Sequence, residues 1–354
     1  MNINFPFAKF EFQLTPQEPL ILPSYKGSTL RGGFGNAFKR VVCALKKSDC
    51  AECILKEKCV YSYIFETPPS SDTKIMRKYI SAPHPFIIEP PPEKKRGYTP
   101  KDEIKFGLTL IGRAIDYLPY FIYTFDELGK IGIGKGRGRY GLDTVRANPT
   151  LKKGGRGDFQ KNDSEIIYSS DTKTLKSFTL SYLPIAFTKD TPSVPVIPAC
   201  QSRTLSGLKK DSGQARMTAG NPQLLTLNFL TPTRIVYDSH LTIDLEFHVL
   251  IRQLLRRISL LSYFHCGIDT SQWDFKGIIE KAKEVIVKQK NLKWHDWERY
   301  SARQDTRMKM GGFVGEITFE GNIEPFVPLI KAGEVLHVGK GTSFGLGKYV
   351  IQAS

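Results

Sequence analysis

Four of the six cysteines, Cys43, Cys50, Cys53 and Cys59, fall within 17 residues with the spacing C-x6-C-x2-C-x5-C. In a reducing compartment, thiolates gathered this closely serve a soft metal ion rather than two disulfides. Only Cys50 and Cys53 form the short knuckle usual for structural zinc, so zinc and a [4Fe–4S] cluster both stay open. Lys46, Lys47, Lys56 and Lys58 stand among the ligands and offset thiolate charge. Either group would staple a loop with too little apolar material to fold alone. Without a metal, these are four half-buried reduced thiols. Cys200 and Cys266 stand apart and read as core residues.

A second chemical feature is the run from His337 to Lys348, where Gly339, Gly341, Gly345 and Gly347 accompany Lys340 and Lys348. Closely spaced glycines let backbone N–H groups approach an oxyanion, and the lysines add charge. The Walker A spacing is absent, and a strand rather than a helix is expected to follow, which excludes the dinucleotide fingerprint as well. Turns needing positive φ account for one or two such glycines. Four within nine residues fit an extended phosphate backbone better.

Gly134–Arg139 is a milder version, with Lys135, Arg137 and Arg139 between glycines. Both loops carry Gly-Lys-Gly followed by an aromatic-Gly-Leu triplet, Tyr140-Gly-Leu142 and Phe344-Gly-Leu346, which points to an internal repeat. Lys26, Arg31, Lys39 and Arg40 line a predicted basic helix over 28–46 whose early glycines, Gly32, Gly33 and Gly35, allow another backbone to come close. Near the C-terminus, Trp294–Gln304 interleaves aromatics with Arg299 and Arg303, a composition that stacks bases and grips phosphates.

The elements that must position these residues follow from periodicity. Phe7–Thr15 alternates as a half-buried strand, the basic helix follows, then strands over Pro85–Glu89 and Ile104–Ile111, a helix over Ala114–Leu128 and a strand over Tyr140–Val145. This βαββαβ order is ferredoxin-like. Polar residues 149–176 read as a linker, and the order then repeats. It runs through a strand over Leu224–Leu230, helices over Phe247–Tyr263 and Phe275–Lys288, strands over Trp294–Tyr300 and Gly312–Glu320, a helix over Ile323–Lys331 and a strand over Phe344–Ile351. The expected fold is α+β, two tandem ferredoxin-like domains over 1–148 and 177–354, with the cysteine-rich insertion in the first.

With 51 Lys+Arg against 35 Asp+Glu, the net charge of +16 favours a phosphate-bearing partner. No stretch reaches the length of a membrane span, and the N-terminus lacks the pattern of a signal peptide, so a soluble, cytoplasmic protein is expected.

Taken together, Lys26–Gly35, the Cys cluster running into Cys59–Phe65, Phe229–Arg234, Arg299–Gln304 and His337–Tyr349 resemble the CRISPR-associated endoribonucleases of the RAMP superfamily that process precursor crRNA. The resemblance implies an RNA-holding C-terminal loop and CRISPR repeat RNA as substrate, with effector-complex subunits as further partners. It also implies cleavage without a catalytic metal, by 2′-OH attack, leaving a 2′,3′-cyclic phosphate and a 5′-OH. Many relatives place a His on the first helix, whereas residues 28–46 hold neither His nor Tyr. His337, which opens the Gly-rich loop, is therefore the candidate acid/base, with Tyr25 and Lys26 completing the site. An inactive RAMP subunit that retains crRNA is the alternative.

Overall fold

Strand β1 (Asn2–Pro16) contributes to the two large cores, because its alternation is used on two faces. Ala8, Phe10, Phe12 and Leu14 face the first core, while Phe5 and Phe7, on the opposite pleat, join the second. Burial of one such Phe contributes about 2–3 kcal/mol, so this strand alone fastens the two halves firmly. The computed structural model describes residues 2–46, 49–50, 52–69, 73, 79, 81–148, 164–186, 223–301 and 306–352.

The first half continues through β2 (Leu20–Ile21), α1 (Gly27–Val42), β3 (Phe86–Glu89), β4 (Gly97–Tyr98), β5 (Ile104–Ile111), α2 (Leu118–Ile131), β6 (Tyr140–Ala147), β7 (Glu165–Ser169) and β8 (Ser181–Ala186). Its six-stranded sheet runs β3-β5-β1-β6-β7, the ferredoxin-like order with β7 added at one edge and β8 paired to β1. The second half comprises β9 (Gln223–Thr233), β10 (Ile235–Tyr237), β11 (His240–Thr242), α3 (Phe247–Cys266), α4 (Phe275–Ala282), β12 (Ile286–His295), β13 (Glu298–Ser301), β14 (Thr306–Lys309), β15 (Gly312–Gly321), α5 (Val327–Leu336) and β16 (Tyr349–Gln352). Its sheet, β12-β15-β9-β16, repeats the same order. No helix among the described residues is long and apolar enough to cross a membrane.

Several expectations change. The expected linker 149–176 and boundary at 177 fall inside the first sheet, since β7 pairs with β6 and β8 pairs with the N-terminal half of β1. Residues 149–163 lie outside the described residues. The expected helix 275–288 stops at Ala282, because the apolar β-branched run Val285–Val287 turns into β12 against β15. The expected strand 294–300 is divided at Asp296 and Trp297 between β12 and β13. The last strand starts only at Tyr349, and Thr342–Phe344 is a single 3-10 turn instead.

Candidate functional site

The Gly-rich loop leaves α5 at His337 and runs between the two halves. Val338 N–H donates to Gly347 O at 3.0 Å, Lys340 N–H to Arg234 O at 2.9 Å, and Leu230 N–H to Lys348 O at 2.8 Å, so the loop closes on itself and on β9. All four of its glycines have positive φ, as do Gly134 and Gly136 in the equivalent first loop. Turn geometry thus accounts for every glycine here, contrary to the expectation that four exceed its needs. At Gly345 (φ +83°) an added Cβ would lie 2.4 Å from Pro90 Cδ and 2.7 Å from Ile88 O, so this position also docks the loop onto the first half. The loop is a buried plug, with its tip residue Lys340 exposed.

His337 is 0% exposed, at φ +59°. Its Nδ1 donates to Leu346 O at 3.1 Å, while Nε2 stands 3.5 Å from Glu89 Oε1, too far for a hydrogen bond. Lys348 Nζ donates to Glu89 Oε2 at 2.5 Å, and Lys9 Nζ lies 3.9 Å from Oε1. Burial pushes the Glu89 carboxyl up, but His337, Lys9 and Lys348 outweigh it and hold the group well below the usual carboxylate range. Burial draws the His337 imidazole below its ordinary value in spite of Glu89. The expected acid/base is therefore enclosed and braces the loop.

Tyr25 Oη donates to Phe344 O at 2.8 Å, and its ring packs on Trp297 at 4.7 Å. Burial pushes the Tyr25 phenol up, so it keeps its proton. Lys26 is buried and donates from Nζ to Glu93 O at 2.7 Å, a placement that removes it from any solvent-facing role. The structure thus brings Tyr25 and His337 to one loop and turns Lys26 away.

Arg31 reaches across the interface. Its Nε donates to Ser343 Oγ at 2.9 Å and its Nη2 approaches His84 Nε2 at 2.7 Å. The guanidinium lies 4.5 Å from the Phe65 ring centroid and 4.4 Å from that of Phe344, which Arg299 also covers at 4.6 Å. His84 has an acceptor role here that its place between two prolines did not reveal. Two of the early glycines of α1 serve protein neighbours: a Cβ at Gly35 would meet the Phe65 ring at 2.2 Å and one at Gly33 the Leu128 side chain at 3.0 Å, whereas Gly32 has no such neighbour within 4 Å.

The remaining cations sit on the surface. Lys135, Arg137 and Arg139 are exposed, Arg139 pairing with Glu18 at 3.3 Å. Arg40 is exposed, and Lys39 lies over the Tyr61 ring at 5.7 Å. Arg303 falls outside the described residues. Cys43, Cys50, Cys53 and Cys59 are free thiols that line one small cavity with Asp49, Lys56, Tyr61 and Ser62.

Residues 227–349 match the family model of the CRISPR-associated endoribonuclease Cas6, and residues 5–179 match a model described as the N-terminal domain of the AF_1859 type. An uncharacterized protein of Archaeoglobus fulgidus is 29% identical over 112 residues, spanning 32% of this chain and 37% of that relative's length. A Thermus thermophilus Cas6 in a product complex superposes over 98% of this chain and 99% of its own, with a TM-score of 0.52 at 15% identity. A chain of a partial Cas6-RT-Cas1–Cas2 complex matches over 99% of this chain and 46% of its own, with a TM-score of 0.50 at 11% identity. At these identities the likeness is one of fold.

Proposed function

The chain belongs to the Cas6 family of RAMP proteins, and from that premise we propose that it binds CRISPR repeat RNA and cuts it at one site within the repeat. The observation that carries this reading is the extent of the Cas6 match, which takes in the whole Gly-rich loop from His337 to Lys348. In the proposed reaction the ribose 2′-OH attacks the adjacent phosphate and the 5′-oxygen leaves, giving a 2′,3′-cyclic phosphate. Such a step needs a base, a side chain or water, to take the 2′-OH proton, a cation where phosphorane charge develops and a proton donor for the leaving oxygen. Arg31 and Arg299, gathered at Phe344, suit the role of the cation. Tyr25, whose hydroxyl donates to Phe344 O beside these cations, would serve as the proton donor once RNA displaces that bond. His337 acts by positioning the loop, and exposed Lys340, Lys135 and Arg137 draw in the RNA backbone.

One observation favours a second reading, a subunit that retains crRNA without cutting it. Helix α1 carries neither His nor Tyr, and His337 is enclosed. Incubating 5′-labelled repeat RNA with the protein in EDTA separates the two. One discrete product ending in a cyclic phosphate supports the nuclease. RNA that is shifted in a gel but intact overturns cleavage and leaves the binder.

A further inference from the structure

The RNA-processing reading makes no use of Cys43, Cys50, Cys53 and Cys59, although the fold brings all four to one cavity. Cys43 caps the C-terminus of α1, and Cys59 leads into the π-helical turn Ser62–Glu66. The loop between them has almost no core of its own: Ile54 is 85% exposed, and Leu45 and Leu55 also face solvent. A loop this poor in apolar burial lacks the stabilisation needed to hold four free thiols together.

We propose that these four cysteines bind one zinc(II) ion as a tetrathiolate site that ties the end of α1 to the Ser62–Glu66 turn. All four thiols line one small cavity together with Lys56. Cys50 and Cys53 form the two-residue knuckle usual for structural zinc, which holds one ion at about 2.3 Å from each sulfur. Among the described residues no three ligands already stand in an ion-holding arrangement, so binding draws the thiols inward as they lose their protons. Lys56 lines the cavity and offsets one of the two negative charges that four thiolates leave on a zinc ion.

The site has a structural consequence. The Ser62–Glu66 turn carries Phe65, which packs on Gly35 of α1 and under the Arg31 guanidinium at 4.5 Å. Fixing this turn fixes the platform on which Arg31 lies.

Elemental analysis of the intact protein, without RNA, tests the proposal independently of any nuclease activity. One zinc per chain is expected, and replacing it with cobalt(II) should give the intense visible bands of a tetrahedral thiolate site. Cys266→Ser should keep the zinc, and Cys50→Ser or Cys53→Ser should lose it. Protein that folds with no bound metal and four thiols open to alkylation would overturn the proposal. So would four irons and four acid-labile sulfides with a brown absorbance. The wild-type stoichiometry decides the matter even where a cysteine variant fails to fold.

Discussion

The guanidinium carbon of Arg31, on the first domain's α1, lies 4.4 Å from the ring centroid of Phe344, in the second domain's Gly-rich loop. Through the same side chain, Nε holds Ser343 and Nη2 meets His84, so one residue joins the loop to both the helix and the segment entering β3. The planar fork is what makes this possible, since it stacks and donates at once.

Removing that fork should loosen the domain interface. Arg31→Ala is expected to cost about 2–4 kcal/mol, from two cation–π contacts and two hydrogen bonds. Arg31→Lys restores the charge without the flat stack and should recover less than half. Urea denaturation of the three proteins reads this directly, and a lysine variant as stable as the parent would contradict the stacking argument.

Stability should fall as the solution becomes acidic, in a window set by buried histidines. Burial lowers His265 to about 4, lowers His337, and takes His84 well below its ordinary value. Each binds a proton more readily in the unfolded chain, so the unfolded state gains protons first as pH drops below about 6.5, and stability is lost from there downward. The drop from 6.5 to about 4 at His265 corresponds to about 3 kcal/mol once both values are passed. Glu89 acts in the same direction at lower pH: its folded pKa is depressed, so its contribution is present above about 4.3 and disappears as pH falls through the folded value. Denaturation midpoints should hold level from pH 8 to about 6.5 and decline from there to pH 4, with His265→Gln flattening that decline.

The exposed first loop should matter for RNA and not for folding. Lys135→Ala with Arg137→Ala is expected to leave the unfolding midpoint within about 0.5 kcal/mol of the parent. RNA affinity should weaken for every sequence alike, and the slope of log K against log salt should shrink by about 2, one unit for each phosphate contact. Filter binding at several salt concentrations checks both statements.

The plug should tolerate no side chain at its closest approach. Gly345→Ala places a Cβ against Pro90 Cδ and Ile88 O at a positive φ, so a cost above about 2 kcal/mol is expected. Gly136→Ala meets no atom within 4 Å and carries only the φ penalty, about 1 kcal/mol. Thermal melts of the pair separate close packing from backbone conformation.

Sequence periodicity alone determined the ferredoxin-like order of both halves, because alternation in β1, β5, β9 and β15 and helical spacing in α1–α3 are local properties. It also located the four cysteines and the paired Gly-Lys-Gly loops, whose glycines share positive φ. Tertiary structure decided which of these features face solvent. The same Gly-Lys-Gly punctuation gives an exposed basic loop at 134–139 and a buried plug at 337–348, since only the second is pressed against β3. His337 looked free to exchange protons because its spacing to Glu89, 248 positions away in the chain, has no local signature. The role of His84 was hidden for the same reason: Arg31 reaches it only after α1 has packed beside β3. The chain order of the elements was local, whereas the enclosure of the site depended on contacts made when two cores close on one strand.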